Sequence, residues 1–218
     1  MADIKVIQDL ARTLNLQNIA SGVIDLNDET ISNKEYLYKV LLEEVNIRKK
    51  NKLKDLKHMS RLKPLVFDEL RISDGLKWQL SRIKEMDFNE TRENIIIVGD
   101  CSTGKTSLAT TIGNHAIEKG AKVVYVTEEE LLVESRKKKK IWNNILISDV
   151  VIVDDMFYIS PTDEELIQVY KLLMFLQETR SLILVTNRPL SSWKNMKADT
   201  HIVETLAKRL MQDAQIIS

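Results

Sequence analysis

The chain has 218 residues, and its 32 Lys and Arg balance 32 Asp and Glu, so the formal net charge at pH 7 is zero. Overall charge therefore gives no sign of a nucleic-acid partner, and only local clusters of cations could. A single cysteine excludes a disulfide within the chain, no apolar run approaches the ~18 residues of a membrane span, and the N-terminal segment lacks the apolar centre of a signal peptide. We expect a soluble, cytoplasmic protein that does not associate with membranes.

The first part of the chain is helical by pattern, and we predict a small helical domain over residues 1–68 followed by a second domain over residues 69–218. One helix is predicted from Ile4 to Leu14. A second begins at Ser32, which has capping-box spacing to Glu35, and its apolar residues recur at helical spacing. A further helix is predicted over residues 73–86, leading into the second domain.

The second helix continues into a dense run of cations. Between residues 48 and 63, a single acid, Asp55, accompanies eight cations. Such a cluster can bind the phosphate backbone of duplex DNA, while a solvated helix face is the alternative. No aromatic residues interleave with the cations, so base stacking on single strands is less supported. The candidate DNA-contacting residues here are Arg48, Lys49, Lys50, Lys52, Lys54, Lys57 and Arg61, with Lys63 at the end of the run.

The stretch GDCSTGKTSLA at residues 99–109 has the spacing G-x-x-x-x-G-K-[ST]. The backbone N–H groups of such a loop wrap the phosphates of ATP, the lysine reaches the β- and γ-phosphates, and the hydroxyl binds Mg²⁺. A β-branched run, NIIIV, precedes the loop, and a predicted helix from Lys105 to Lys119 follows it, so a mere glycine-containing turn is the weaker interpretation. The predicted nucleotide-binding residues are Gly99, Asp100, Cys101, Ser102, Thr103, Gly104, Lys105, Thr106 and Ser107.

Strand-like apolar runs recur at residues 95–98, 123–126, 150–153 and 182–185. Predicted helices separate them, and two of these helices begin with capping-box spacing, at Thr127 and Thr162. The pattern predicts an α/β fold with a parallel sheet covered by helices on both faces, in which ligands bind beyond the carboxyl ends of the strands. A second basic cluster, predicted on a loop, is either a solvated segment or a further DNA contact through Arg136, Lys137 and Lys138, followed by Lys139 and Lys140.

Polar residues follow two of these strands. Of Asp154 and Asp155, one can hold the shell of a Mg²⁺ ion while its neighbour polarises the attacking water, unless the pair is a surface turn. Asn187 can bond a γ-phosphate or the water, unless it only starts the turn before Pro189. Arg209, on a late helix, is either solvated or an arginine finger for a neighbouring subunit.

With these motifs in place, the chain resembles the IstB-type ATPases, AAA+ helper proteins of insertion-sequence transposition that are related to DnaC-type helicase loaders. The resemblance covers almost the whole chain and is carried by YLYKVLLEEVNIRKKNKLKDLKHMSRLKPLVFDEL, GDCSTGKTSLA, GAKVVYVTEEELL, DVVIVDDMFYIS, LVTNRPLSSW and ADTHIVETLAKRLMQDAQII. It implies that Lys105 and Thr106 are the Walker A pair and that Asn187 is sensor 1. By the same resemblance, the Walker B pair comprises Asp154 as metal ligand and Asp155 as catalytic carboxylate, and Arg209 is a catalytic arginine.

The resemblance further implies a P-loop AAA+ fold, ATP and Mg²⁺ as cofactors, and ATP-dependent homo-oligomerisation on duplex DNA, which is delivered to a cognate transposase. A loader of a replicative helicase is the alternative, and a small-molecule P-loop kinase is a third interpretation. Three features depart from the family pattern: Asp155 replaces the usual Glu, Ser102 replaces a common third loop glycine, and relatives continue beyond the position of Ser218 into a Ser-Tyr-Arg element. We expect slower hydrolysis for the first and third of these reasons.

Overall fold

Helices precede a parallel sheet in the computed structural model, which describes residues 4–24, 32–69, 74–195, 200–212 and 214–218. The chain divides into two units, residues 1–55 and 56–218. The domain boundary expected between residues 68 and 69 stays a prediction. No helix within the described residues is long and apolar enough to cross a bilayer.

The first unit contains α1 (Ile4–Thr13), α2 (Gln17–Ala20) and most of α3 (Asn33–Ser60), whose last residues belong to the second unit. The two longer helices confirm the predicted ones, and the Oγ of Ser32 accepts a bond of 3.3 Å from the Glu35 amide at the start of α3. The small core of this unit is apolar and consists of Ala11, Ile19, Ala20, Ile24 and Val40.

A buried carboxylate joins α3 to α2 within the first unit. Glu44 is only 2% exposed, and its Oε2 accepts bonds from the amides of Asn18 and Ile19 at 3.1 and 3.3 Å. Its Oε1 accepts a bond of 2.7 Å from Arg48. Because α2 has no side-chain cap of its own, Glu44 satisfies the amides that a helix start leaves open.

The described residues of the second unit form one sheet of five parallel strands in the order β2-β3-β4-β1-β5. The strands are β1 (Asn94–Val98), β2 (Val123–Thr127), β3 (Val150–Asp154), β4 (Ser181–Thr186) and β5 (Ala214–Ile217). The first four confirm the predicted runs, and the α/β fold is confirmed with them. The short edge strand β5 was not predicted from the sequence.

The helices of this unit are α4 (Asp74–Glu85), α5 (Lys105–Glu118), α6 (Glu128–Lys137), α7 (Lys140–Ile147), α8 (Asp163–Thr179) and α9 (Thr200–Gln212). Short 3₁₀ turns lie at Phe67–Glu69 and Leu190–Asn195. The helix predicted over residues 73–86 matches α4, with residue 73 outside the described residues. Both predicted capping boxes, Thr127 with Glu130 and Thr162 with Glu165, are formed.

Candidate nucleotide-binding site

The sheet register brings the carboxyl ends of the strands together. Thr127 of β2 lies beside Asp154 of β3, and Val98 of β1 lies beside Thr186 of β4. The phosphate loop leaves β1 at this edge, where the Gly99 amide donates to the Thr186 carbonyl at 3.3 Å. The loop, the acid pair and Asn187 therefore follow three neighbouring strands at one edge, as the predicted topology requires.

The phosphate loop has the tight backbone that its glycines permit. Gly104 has a φ of 89°, and a Cβ on Gly99 would lie 3.0 Å from the Thr103 Oγ1. Ser102 has a φ of 65°, so the serine adopts the left-handed conformation expected where a glycine is common. Lys105 reaches across the loop and donates from its Nζ to the Asp100 carbonyl at 2.6 Å.

The first turn of α5 differs from the starts of two other helices in the same unit. In α6 and α8 a threonine and a glutamate close the first turn with a capping box. In α5 the capping residue is Gly104, and no side chain caps the helix. The amides of this turn thus keep their hydrogen-bonding capacity, which together with the helix dipole suits a phosphate group.

Asp154 is a buried acid held by two donors. It is 2% exposed, its Oδ2 accepts a bond of 2.9 Å from the Tyr125 hydroxyl, and its Oδ1 accepts one of 2.8 Å from the Asp155 amide. Burial and the neighbouring Asp154 raise the pKa of Tyr125, so the phenol stays protonated and keeps donating. A fixed carboxylate oxygen and the exposed hydroxyl of Thr106 are hard oxygen donors, which fit Mg²⁺.

Asp155 is exposed and has a φ of 55°, a left-handed conformation that aspartate tolerates better than most residues. Partial burial and then the charge of Asp154 raise its pKa, while the Lys105 ammonium lowers it. The adjacent acids thus lie in different environments, one buried and hydrogen-bonded and the other facing solvent. This division fits one metal-binding and one reactive carboxylate.

Asn187 connects the end of β4 to the phosphate loop. Its Nδ2 donates to the Cys101 Sγ at 3.6 Å, and its Oδ1 is buried without a hydrogen-bond partner among the described residues. An unpartnered buried oxygen carries a free-energy penalty, so its presence at this edge favours a ligand or water as the missing donor.

Three further polar residues at this edge were not predicted from the sequence. Tyr125 binds Asp154, the Glu128 Oε2 accepts a bond of 2.6 Å from the Phe157 amide, and the Arg188 Nη2 donates to the Ser160 Oγ at 3.2 Å. Tyr125 interrupts a run of valines in β2, a signal that could have identified it. Glu128 lies among three consecutive glutamates, and nothing in the sequence distinguishes it from Glu129.

The cations of the first basic cluster differ in their surroundings. Arg61 forms a two-bonded ion pair with Glu130, at 2.7 and 3.0 Å, and also donates to the Tyr125 carbonyl. This ion pair raises the pKa of Arg61 and argues against its predicted use as a cation for DNA. Arg48 is paired with Glu44. The lysines are exposed: Lys49, Lys50, Lys52, Lys54 and Lys57.

The second basic cluster was predicted on a loop, but most of its residues lie on two helices. Arg136 and Lys137 form the last turn of α6, and Lys140 begins α7, with only two residues between the helices. Of these two, Lys138 turns the chain with a φ of 47°. Arg136 donates to the Gln168 Oε1, whereas Lys137 and Lys138 are exposed. A role of these residues in DNA binding stays a prediction.

Arg209 lies on α9, as predicted, and its side chain is exposed. Its Nη1 contacts the Met174 Sδ at 3.6 Å. Thioether sulfur is a weak acceptor, so this contact holds the guanidinium only loosely. Its action on a neighbouring subunit stays a prediction.

A parallel sheet in the order β2-β3-β4-β1-β5, with a phosphate loop after β1 and an acid pair at the end of β3, is the fold of an AAA+ P-loop protein. Solved structures share this fold. A DnaC helicase loader matches with a TM-score of 0.58 at 17% identity, over 70% of this chain and 94% of that one. AMPPCP-bound DnaA from Aquifex aeolicus matches with a TM-score of 0.54 at 22% identity, over 73% of this chain and 52% of that one. The chain thus spans about half the length of that DnaA.

The chain belongs to the family of IstB-like ATP binding proteins, whose family model matches residues 9–218. It is similar to the insertion sequence IS232 ATP-binding protein of Bacillus thuringiensis subsp. berliner, with 28% identity over 94% of this chain and 88% of the relative. An insertion sequence IS21-like ATP-binding protein of Bacteroides fragilis has 27% identity, over 98% of this chain and 86% of the relative. The predicted family resemblance is confirmed, and with it an ATP-binding AAA+ function.

Proposed function

We propose that this protein hydrolyses ATP and uses the nucleotide to assemble on duplex DNA, which it delivers to the transposase of an insertion sequence. The observation that carries the proposal is the uncapped first turn of α5, lying at the sheet edge that also bears two acids and an amide. That combination suits transfer of a phosphoryl group to water. The family's relatives, named for insertion sequences, support the biological setting.

In this proposal, the α5 amides and Lys105 bind the β- and γ-phosphates. Thr106 and Asp154 would hold a Mg²⁺ ion, which supplies charge neutralisation for the phosphates. Asp155 accepts a proton from the attacking water, and the Asn187 side chain orients that water or the γ-phosphate. Its unpartnered buried Oδ1 is the atom best suited to accept a bond from the water.

DNA binding is proposed for the exposed lysines of α3 and of the α6–α7 junction. These lysines are solvent-facing in a chain of zero net charge, and cations in such a setting bind backbone phosphates without reading sequence. Arg209 is proposed to act on the nucleotide of a neighbouring copy, since its guanidinium is exposed and only weakly bound within its own chain.

The first experiment is steady-state ATP hydrolysis with Mg²⁺, with and without duplex DNA, at low and moderate salt. We expect turnover that rises with DNA, and a rise that shrinks with salt. Lys105→Ala should bind no nucleotide and serves as the blank. Wild-type turnover no higher than this blank would contradict the proposed hydrolysis.

The DNA surface is tested with two charge-matched triple variants. Replacing Lys49, Lys50 and Lys52 with alanine should weaken duplex binding and flatten its salt dependence by about one unit of slope per lost phosphate contact. The control replaces exposed lysines elsewhere in the chain, Lys122, Lys171 and Lys208, and changes the net charge equally. Equal losses in both variants would show that only net charge matters and would contradict a defined surface.

The partner is tested by capture from a lysate that contains the transposase of the same insertion sequence, with ATP and DNA present. Retention of the transposase, lost in the Lys105→Ala variant, is the expected result. Retention of a replicative helicase in its place would favour helicase loading.

A further inference from the structure

The segment after β3, residues 155–158, holds the proposed catalytic base, Asp155, in a backbone that includes a strained residue. Asp155 and Phe157 have φ values of 55° and 56°; aspartate tolerates this left-handed conformation better than most residues, but a bulky phenylalanine is strained in it. Such a segment keeps its shape only if its surroundings hold it. All of its amides are hydrogen-bonded: Asp155 to Asp154 Oδ1 at 2.8 Å, Met156 to the Val185 carbonyl at 2.9 Å, Phe157 to Glu128 Oε2 at 2.6 Å and Tyr158 to the Asp155 carbonyl at 3.0 Å.

Two of these acceptors are side chains: Asp154 immediately precedes the segment at the end of β3, whereas Glu128 comes from a distant element, α6. It is the first residue of α6, yet α6 does not need it as a cap, because Thr127 and Glu130 already close the helix. Its carboxylate is mostly buried and raised in pKa to about 7, with burial as the main cause, Glu165 adding to the shift, and the Phe157 amide and Arg188 opposing it. A carboxylate kept in such a site, without a capping role, suggests another role.

Phe157 is fixed on its other side as well. Its ring is fully buried and meets the Trp193 ring edge-on, with centroids 4.8 Å apart and planes at 87°. The ring is therefore anchored in the core, and Glu128 holds the amide of the same residue. Together these two contacts determine the backbone two residues beyond Asp155.

We propose that Glu128 is a positioning residue for ATP hydrolysis, which holds the 155–158 backbone through the Phe157 amide and so keeps the Asp155 carboxylate in place. This inference rests on the proposed function, in which Asp155 activates water. Glu128 touches neither nucleotide nor water in this role. Because Glu128 acts by accepting a hydrogen bond from the Phe157 amide, ATP hydrolysis should depend on an acceptor oxygen at this position and not on the negative charge of the carboxylate.

The test compares three variants of Glu128. Glu128→Gln keeps an oxygen at the same reach and should retain kcat within about threefold, whereas Glu128→Ala removes the acceptor and Glu128→Asp withdraws it by one methylene. Both of the latter should lower kcat at least tenfold while the Kd for a fluorescent ATP analogue stays within twofold. Glu129→Ala, a neighbouring exposed glutamate, is the control and should behave as wild type.

Several outcomes would overturn the inference. Full turnover in Glu128→Ala would do so, and so would an equal loss of kcat in Glu128→Gln and Glu128→Ala. Loss of nucleotide binding together with turnover would indicate a merely structural role. A further tenfold loss when Glu128→Ala is added to Asp155→Asn would also overturn it, because Glu128 could then not act through Asp155.

Amide hydrogen exchange gives a readout that needs no turnover. The Phe157 amide should lose protection in Glu128→Ala and keep it in Glu128→Gln. Unchanged protection in the alanine variant would overturn the positioning role even if ATP hydrolysis were slowed as expected. A wild-type chain without turnover would refute the proposed hydrolysis, and exchange would then still decide whether Glu128 holds the segment.

Discussion

Replacing Asp155 by asparagine separates its charge from its backbone role. Asparagine tolerates the left-handed conformation as aspartate does, so the φ of 55° is retained without new strain. Burial and Asp154 disfavour the charged form of Asp155, and a neutral amide removes that repulsion. The free energy of unfolding of Asp155→Asn should therefore equal or exceed that of the wild type. The free energy of unfolding of Asp155→Ala should be about 1 kcal/mol lower than that of Asp155→Asn, because alanine tolerates the left-handed conformation less well.

Turnover should change in the opposite direction. Loss of a general base typically costs about 10²- to 10⁴-fold in rate, and each tenfold step corresponds to about 1.4 kcal/mol of barrier. Asp155→Asn should thus bind ATP with wild-type affinity and hydrolyse it at least about a hundredfold more slowly. Single-turnover phosphate release measures the chemical step, and Glu129→Gln, in the same cleft, is the matched control. Turnover within threefold of wild type would refute the assignment of Asp155.

Three further predictions concern stability, measured by urea unfolding. Ser102→Gly should stabilise the protein by about 0.5–1 kcal/mol because its left-handed strain disappears, whereas Ser81→Gly, inside α4, should destabilise it. Glu44→Ala should cost about 2–4 kcal/mol by leaving two amides unpaired, unlike the exposed Glu43→Ala; equal losses would contradict the capping role. The raised pKa of Glu128 means that the folded state binds its proton more tightly, so stability should fall by up to about 3 kcal/mol between pH 4.5 and 7. That fall should be absent in Glu128→Gln.

Much of the fold could be predicted from the sequence because its signals are local. Buried parallel strands consist of short β-branched runs, and the capping boxes lie within four residues. The edge strand β5 gives no such signal, since AQII is four residues long and lies at the side of the sheet with partly exposed residues. Pairing with β1, more than a hundred residues earlier, makes this segment a strand.

The candidate site likewise contains residues that could be predicted from local sequence signals and contacts that could not. Asp154, Asp155 and Asn187 could be predicted because each lies at or directly after the end of a strand, and parallel topology brings strand ends to one edge. The ion pair of Arg61 with Glu130 could not, because it joins residues far apart in sequence whose meeting depends on how α3 ends. The Glu128 contact with Phe157 depends on a positive φ at a phenylalanine, which no sequence pattern predicts.

Strained residues and polar groups without hydrogen-bond partners occur together at the carboxyl ends of the strands, and this favours that edge of the sheet as the functional site. Among the described residues, six non-glycine residues have a positive φ, and three of them, Ser102, Asp155 and Phe157, follow β1 or β3 at that edge. The uncapped start of α5 and the unpartnered Asn187 Oδ1 lie there too, whereas α6 and α8 begin with complete capping boxes. Each of these features lowers stability by itself, and a bound nucleotide would satisfy the amides of α5. Saturating ATP should therefore raise the unfolding temperature of the wild type and leave that of Lys105→Ala unchanged.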